Sequence, residues 1–304
     1  MSVTAPIKID EVRKAKILLV LLTFGWGLSW PIMRIALEEI SPWTLRFLGF
    51  TISTVFLFAL IKVQGRDLSI PRGVAWLHVA IAGMFNMVGF GLFASFAQLA
   101  ATTSRVVIIN YSMPIWSSML AWLVFRERLS TASSIGLALC VGGLTVLVYP
   151  VVTAQSAVGL LLALGCALCW AGGTIYMKWA KIPGELLAIT AWQVALGAVV
   201  MGVCLLLFQG MPTFEPVSMQ TVFAVAYNGL VGTGLSYIWW FGIIGRLPTA
   251  TASLGTLANP VIGVIGSVLI LGERPTPTDI IGFAMIFTAA VCVLLPQRSR
   301  TVAG

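Results

Sequence analysis

The chain has 304 residues, of which 59% are hydrophobic and only 9% are charged. Soluble domains carry roughly 25% charged residues, so this chain could not cover the surface of a soluble fold of its size. Its net charge of +8 is spread along the chain rather than grouped in one patch, which argues against a nucleic-acid-binding surface. The composition therefore indicates a membrane protein without a separate soluble domain.

Long apolar segments follow one another along the chain, each close to the ~20 residues that a transmembrane helix needs. We predict an all-α membrane protein, because lipid-exposed backbone must be hydrogen-bonded within its own segment. The first apolar run follows Lys16 without a clear cleavage site, so we interpret it as a retained helix rather than a signal peptide. The predicted spans lie at residues 17–37, 42–62, 74–97, 104–124, 131–150, 157–179, 184–208, 219–244, 250–271 and 277–295.

The positions of Lys and Arg predict the orientation. With the N-terminus in the cytoplasm, most of the 18 Lys and Arg residues fall in cytoplasmic segments, as the positive-inside rule requires. The exceptions are Arg34, Arg46, Arg105 and Arg274. We therefore expect a multi-pass protein of a bacterial inner (plasma) membrane with both termini cytoplasmic.

The second half of the chain repeats the first. Pro114 corresponds to Pro260, and Glu127 corresponds to Glu273, with an Arg after each Glu. Five spans per repeat would make the second copy enter the membrane from the opposite side. Inverted repeats are typical of secondary transporters, whose substrate site lies between the halves. We predict ten transmembrane helices as two inverted five-helix repeats around a central cavity, residues 1–152 and 153–304, together forming one membrane domain.

The 10 Asp and Glu residues all lie at predicted helix ends or in loops. A charge at the bilayer centre costs at least about 2.5 kcal/mol, so a coupling carboxylate is kept inside a span only where it functions. We therefore expect transport without an intramembrane carboxylate for ion coupling. No protease or nucleotide-binding motif is present, so we predict neither an enzyme nor a cofactor or metal site.

Two ionisable residues near span ends have two interpretations each. His78, the single histidine, either relays protons or lies beside Trp76 as an interfacial ring. Arg46 lies one turn into the second span. It either snorkels outward toward Glu38 or Glu39 or binds a substrate carboxylate.

Aromatic and neutral polar side chains recur on one face of several predicted helices. Trp26, Ser29, Trp30 and Met33 share a face of the first helix, because they are three or four residues apart. Such stripes either pack helices together or line a cavity suited to a zwitterion with an apolar side chain. In a cavity, neutral groups would bind the substrate's charges. The candidate substrate-binding residues are Trp30, Asn86, Asn110, Trp170, Tyr176, Tyr237 and Trp240.

Pro114 and Pro260 each remove a backbone hydrogen bond near the middle of a span. The freed carbonyls could orient a ligand, and the prolines could act as hinges or simply kink their helices. We retain both prolines as candidate hinges.

The segment WGLSWPIMRIAL, followed by SPWTLRF and a central proline ahead of E-R-L, resembles the EamA repeat of the drug/metabolite transporter superfamily. The second half has WAGGTIYMKWA, ANP and GERP at the matching places. The resemblance extends from about residue 15 to 295 and is closest to the YddG-like amino acid exporters. It departs at the position of Arg46, where the second half has Trp192 followed by Gln193.

This resemblance implies export of amino acids, particularly aromatic or apolar ones. It implies a central cavity lined by helices 1–4 and 6–9, with helices 5 and 10 outside. The residues that would face the cavity are Trp30, Asn110, Trp170, Tyr176, Tyr237 and Trp240.

We therefore predict an inner-membrane carrier that exports amino acids by alternating access. The alternative is a broad-specificity exporter of drugs or other metabolites, since an aromatic cavity also accepts flat cations. A receptor or structural subunit is disfavoured, because no extramembrane surface is large enough to dock a sizeable partner. The predicted partners are the small-molecule substrate and the lipid bilayer, with no nucleic acid and no cofactor.

Overall fold

The computed structural model describes residues 9–126, 131–149, 156–210, 216–244, 246 and 255–294. Within these ranges the regular structure is helical, without strands. Seven of the described helices are long and apolar enough to cross a membrane, and three shorter apolar helices accompany them. In chain order they are α1 (Ile9–Ala36), α2 (Pro42–Val63), α3 (Val74–Ala100), α4 (Thr103–Phe125), α5 (Thr131–Val148), α6 (Ser156–Ala180), α7 (Leu186–Phe208), α8 (Met219–Ile244), α9 (Ala258–Leu271) and α10 (Pro277–Leu294).

The all-helical, membrane-spanning prediction is confirmed, and most helix bounds agree with the predicted spans within a few residues. The short helices α5, α9 and α10 are the exceptions to the span length, so a count of ten crossings stays a prediction. The span predicted from residue 250 is described only from Gly255, because residues 247–254 lie outside the described part of the chain. Glu127 and both termini also lie outside it.

The two candidate hinge prolines each follow a turn. In α4 the helix is interrupted at Tyr111 and Ser112 and resumes at Met113, one residue before Pro114. A corresponding turn at Thr256 and Leu257 precedes α9, which begins two residues before Pro260. Proline tolerates the first turn of a helix because no partner is needed there for its missing N–H group.

Helices α3 and α8 each contain a π-helical segment, Met84–Gly89 and Asn228–Leu235. The wider turn of a π-helix shifts the phase of the residues that follow it, and such segments often occur at functional sites. Both segments bury an asparagine, Asn86 and Asn228. The sequence pattern did not predict them.

Neighbouring helices approach closely where glycine faces a bulky residue. A Cβ on Gly173 of α6 would overlap the side-chain amide of Asn86, whereas a Cβ on the adjacent Gly172 would only touch Phe85 at 3.5 Å. Likewise, a Cβ on Gly27 of α1 would lie only 2.7 Å from the Cβ of Ile262 in α9. Small residues are the usual device for close packing of membrane helices.

The helix ends meet at two opposite ends of the bundle. At the first, which we call the Glu273 end, α9 reaches the start of α4, and the backbone N–H of Ser218 donates to Glu39 at 2.8 Å. The hydrogen bonds from Ser218 hold the pKa of Glu39 below its ordinary value. At the second, which we call the Glu185 end, Glu185 pairs with Arg66.

Candidate functional site

A cavity of about 100 Å³ lies inside the bundle, well above the ~10–15 Å³ that one water molecule requires. Six helices contribute to its wall, namely α1, α2, α3, α4, α6 and α8. No described residue of α7 or α9 lines it, in contrast to the helix set that the family resemblance implies. The lining residues are Trp26, Ser29, Trp30, Met33, Arg46, Phe50, Asn86, Met87, Phe90, Ala94, Asn110, Tyr111, Met113, Trp170, Asn228, Gly232, Thr233 and Tyr237.

Aromatic rings form one continuous wall of this cavity. The ring of Phe90 lies 5.2 Å from that of Trp170 and 6.3 Å from that of Trp30. Trp170 in turn meets Trp26 edge-on at 6.4 Å. Rings at these separations attract one another beyond simple area burial, so α1, α3 and α6 present a preformed apolar and aromatic surface to any ligand.

Asparagine side chains supply the neutral polar part of the wall. The amide nitrogen of Asn86 donates to Gln193 of α7 at 3.1 Å, and that of Asn228 donates to the carbonyl of Ala224 at 2.9 Å. The side-chain oxygens of Asn86 and Asn110 are buried without a hydrogen-bond partner. An unpaired buried acceptor is costly, so these two amides are candidates for rearrangement or ligand binding.

Arg46 also lines the cavity, which corrects the interpretation that it snorkels toward Glu38 or Glu39; the alternative, substrate binding, stays a prediction. Its Nε–H group donates to the hydroxyl of Ser95 at 2.7 Å and to the carbonyl of Gly91 at 2.9 Å. Among the described residues no carboxylate pairs with it. A fixed positive charge is therefore present in the cavity wall, contrary to our expectation that neutral groups alone would meet the substrate's charges.

A thin layer separates the cavity from the Glu273 end. Gln98, which is fully buried, donates from its amide nitrogen to the carbonyl of Trp30 at 3.2 Å. On the other side of this layer Arg34 donates to the carbonyl of Gln98 and faces an open crevice at the Glu273 end. Trp30 and Gln98 thus lie between the cavity and this end.

The carboxylate of Glu273 joins α9 to α4 across the same end. It accepts hydrogen bonds from the backbone N–H groups of Thr103 at 2.6 Å and Ser104 at 2.9 Å. These are N–H groups that a helix start leaves without intrahelical partners, and a negative charge is favoured there. Beside this cap, Arg105 of α4 pairs with Asp279 of α10 at 2.6 Å.

Comparison with known proteins assigns this arrangement to a family. The model of the EamA-like transporter family matches residues 13–149 and again residues 157–295. The chain belongs to the EamA-like transporter family. A protein named probable amino-acid metabolite efflux pump from Escherichia coli (strain K12) is 26% identical over 95% of this chain and 97% of its own length. An uncharacterized transporter, YoaV, from Bacillus subtilis (strain 168) is 25% identical over 87% of this chain and 91% of its own length.

A solved crystal structure has the same fold, with a TM-score of 0.63 and 23% identity over 90% of this chain and 95% of the other. Together with the apolar helices, family membership makes this chain a multi-pass membrane transporter. The predicted membership in the EamA family is thereby confirmed.

Five of the seven candidate substrate-binding residues of this EamA-like transporter line the cavity: Trp30, Asn86, Asn110, Trp170 and Tyr237. Their role in substrate binding stays a prediction. Neither candidate hinge proline lines the cavity, although Tyr111, in the turn before Pro114, and Met113, which follows that turn, do.

Tyr176 and Trp240 lie outside the cavity lining. Tyr176 comes six residues after Trp170, which places it about 9 Å further along α6 on a different face; its hydroxyl contacts His78 Nδ1 at 2.6 Å. Trp240 lies behind the ring of Trp26, at 6.1 Å. The His78–Tyr176 pair packs against Trp179, so His78 does not reach the cavity in this conformation.

The sequence interpretation overlooked Asn228, Met87 and Phe50 as lining residues. Asn228 opens the π-helical segment of α8, where regular helical spacing no longer predicts which face a residue occupies. For Arg46 the sequence left two environments open, the membrane surface and the substrate site. The one available signal was a charged residue inside a predicted span, which is a functional-site hypothesis by default.

Proposed function

We propose that this transporter exports amino acids with aromatic or apolar side chains across the bacterial inner membrane. The observation that carries the proposal is the cavity, which combines a wall of aromatic rings with buried amides and one guanidinium group. Such a lining matches a ligand with a flat or bulky apolar part and a small polar, charged part. The relative named probable amino-acid metabolite efflux pump covers nearly the whole chain, which supports both the substrate class and the direction.

We further propose that residues 1–152 and 153–304 are inverted five-helix repeats and that all ten helices cross the membrane. The double match of the family model supports this division. So do the π-helical segments, which occur in the third helix of each half, and the turns that precede Pro114 and Pro260 in the fourth. The fifth helices α5 and α10 pack against each other and contribute no residue to the cavity lining among the described residues.

Alternating access follows from inverted repeats, because exchanging the conformations of the two halves exchanges the open and closed ends. With both termini in the cytoplasm, the Glu273 end would face outward. Export then requires that the Trp30–Gln98 layer and the Glu273 cap on α4 separate so that the cavity opens outward. We propose that the substrate gradient drives this cycle without a coupled ion, because no carboxylate among the described residues lines the cavity.

A broad-specificity exporter of drugs or other metabolites is the second candidate. The aromatic wall would accept flat organic cations. However, the guanidinium of Arg46 in the same wall would repel them, and a like charge in a site of low dielectric discriminates strongly. This charge favours zwitterions and anions over cationic drugs.

Counterflow in proteoliposomes tests the proposal. Vesicles that contain the purified full chain are preloaded with unlabelled phenylalanine or leucine, and entry of the labelled amino acid is followed without any ion gradient. We expect transient accumulation that empty vesicles lack. Movement of flat organic cations but of no amino acid would support the second candidate instead. Movement that begins only with an imposed pH gradient would contradict the uncoupled cycle.

A further inference from the structure

The guanidinium group of Arg46 indicates which part of the substrate the cavity recognises. We infer that Arg46 is a carboxylate-binding residue of the cavity, so that the transporter selects solutes by their carboxylate group. The inference rests on the proposed function, because it assumes that the cavity is the substrate site. It goes further by naming the chemical group that is recognised and the side chain that recognises it.

The hydrogen bonds of Arg46 leave its two terminal nitrogens without a strong acceptor. Its Nε–H group is used by Ser95 and Gly91. Of the two terminal nitrogens, Nη2 meets only the thioether sulfur of Met33, which is a weak acceptor. Nη1 has no hydrogen-bond partner among the described residues. The fork that binds a carboxylate in two parallel hydrogen bonds is therefore available.

The position of the guanidinium is set by close packing between α2 and α3. A Cβ on Gly91 would lie 3.2 Å from the ring of Phe50, 3.3 Å from Arg46 Cδ and 3.4 Å from its Nε, so even a methyl group at position 91 would require these side chains to shift by a few tenths of an ångström. Ser95 is fully buried and directs its hydroxyl to the same Nε–H group. An arginine that only snorkels to the membrane surface would need neither of these partners.

The rest of the cavity favours an anion at this point. Lining residues in the described chain include no carboxylate, so a bound carboxylate would be the first counter-charge that Arg46 meets. The ammonium group of an amino acid would instead rely on neutral acceptors such as Ser29, Thr233 and Asn228. We therefore expect the carboxylate to contribute more to affinity than the ammonium group.

Binding of matched pairs of ligands tests this inference. Isothermal titration of the purified full chain compares phenylalanine with phenylalaninamide, and 3-phenylpropanoate with its amide. For Arg46→Gln we expect carboxylate ligands to weaken by about 10- to 100-fold, as for the loss of charged hydrogen bonds. The neutral 3-phenylpropanamide should change little, and the cationic phenylalaninamide should not weaken, because the variant also removes a charge repulsion. Arg46→Lys keeps the charge without the fork, so we expect an intermediate loss. The matched control is Arg66→Gln, which removes an exposed arginine at the Glu185 end and should change neither ligand.

The outcomes separate this inference from the proposed function. Equal weakening of acid and amide in folded Arg46→Gln would overturn the inference, as would a wild-type protein that shows no preference for acid over amide. Suppose that the wild type binds 3-phenylpropanoate better than its amide but binds no amino acid, and that Arg46→Gln removes the preference for the acid. The carboxylate site then stands and the amino acid proposal fails. If Arg46→Gln does not fold, Arg46→Lys decides, because it keeps the charge and removes the fork. Selective loss of acid binding in that variant supports the inference, and equal loss contradicts it.

Discussion

Helices α2 and α7 pack along each other, and at the positions that the sequence repeat makes equivalent they carry Arg46 and Trp192. The two side chains have different surroundings. Arg46 faces the cavity, while Trp192 lies between Phe58 and Trp76, with each ring centre 4.8 Å away. Its indole N–H donates to the carbonyl of Leu68 at 2.8 Å. In the proposed repeat, one copy thus carries a charge in the cavity wall where the other carries a packing residue.

The neighbour of Trp192 extends this difference. Gln193 accepts from Asn86 at 3.1 Å, so this residue of α7 reaches the cavity through a lining residue of α3. At this position the first half places Arg46 in the cavity wall, whereas the second half places Gln193 behind the lining residue Asn86. A fold with similar halves can therefore have an asymmetric site, as recognition of an asymmetric solute requires.

Trp192→Ala should lower the stability of the fold, whereas Arg46→Gln should weaken recognition of carboxylates. The loss of stability in Trp192→Ala is the largest effect that we expect. Removing Trp192 deletes two aromatic contacts and a hydrogen bond, which should destabilise the fold by about 3 kcal/mol. Thermal unfolding in detergent would measure it, while transport per folded molecule should be preserved. Selective loss of carboxylate transport in Trp192→Ala, with unchanged stability, would contradict the division of roles.

Gly173→Ala tests the support of Asn86. The new methyl group would overlap the Asn86 amide, and overpacking of this kind costs about 1–3 kcal/mol. We expect Asn86 to lose its bond to Gln193, with lower thermal stability and weaker substrate binding. Gly172→Ala is the matched control on the adjacent residue, where the methyl group makes ordinary contact. Equal effects of both variants would mean that α6 resists any added bulk, irrespective of Asn86.

Glu273→Gln tests the closed end of the cavity. The carboxylate accepts three hydrogen bonds at the start of α4, from the N–H of Thr103 and from the N–H and hydroxyl of Ser104. The amide of Gln keeps only one accepting oxygen, a change of about 1–2 kcal/mol in favour of separation. A cysteine placed at Ser29 in a background without the native cysteines should then react faster with impermeant thiol reagents added from the Glu273 side. Glu38→Gln removes the same charge from an exposed side chain that is 3.9 Å from Arg34, and should not change the rate. A rate that is unchanged in Glu273→Gln would exclude the cap as a barrier.

The smallest and most selective effect on transport per folded molecule should come from Trp30→Ala and Trp170→Ala. Stacking contributes about 0.5–1.5 kcal/mol beyond area burial, so transport of large apolar amino acids should weaken a few-fold more than that of small ones. Counterflow of phenylalanine against alanine measures the difference. An equal loss for both substrates would assign the rings to packing alone.

Much of the fold could be predicted because its causes are local. A run of apolar residues determines where a helix enters lipid, and the turns before Pro114 and Pro260 follow from a missing N–H group. The spacing of Trp26, Ser29, Trp30 and Met33 placed all four on the cavity face. The π-helical segments could not be predicted, because their wider turns depend on contacts with neighbouring helices rather than on composition.

The sequence alone could not predict that Tyr176 and Trp240 lie outside the cavity lining. Both are aromatic and lie on helices that line the cavity, and periodicity does not distinguish them from Trp170 and Tyr237. Depth along the helix axis excludes Tyr176, and the ring of Trp26 covers Trp240. Each exclusion depends on the offset between two helices, which hydropathy does not encode.

The amino-acid sequence by itself determined that this chain is a helical membrane protein of the EamA type, where its helices lie, and that aromatic and amide side chains share helix faces. Only the tertiary structure decided which environment Arg46 occupies. Its side chain is long enough to reach either the membrane surface or the bundle interior, so its position in the second span is compatible with both. The contacts of α2 with Gly91 and Ser95 of α3 direct the guanidinium inward, because a buried charge is stable only where neighbouring helices supply its hydrogen bonds.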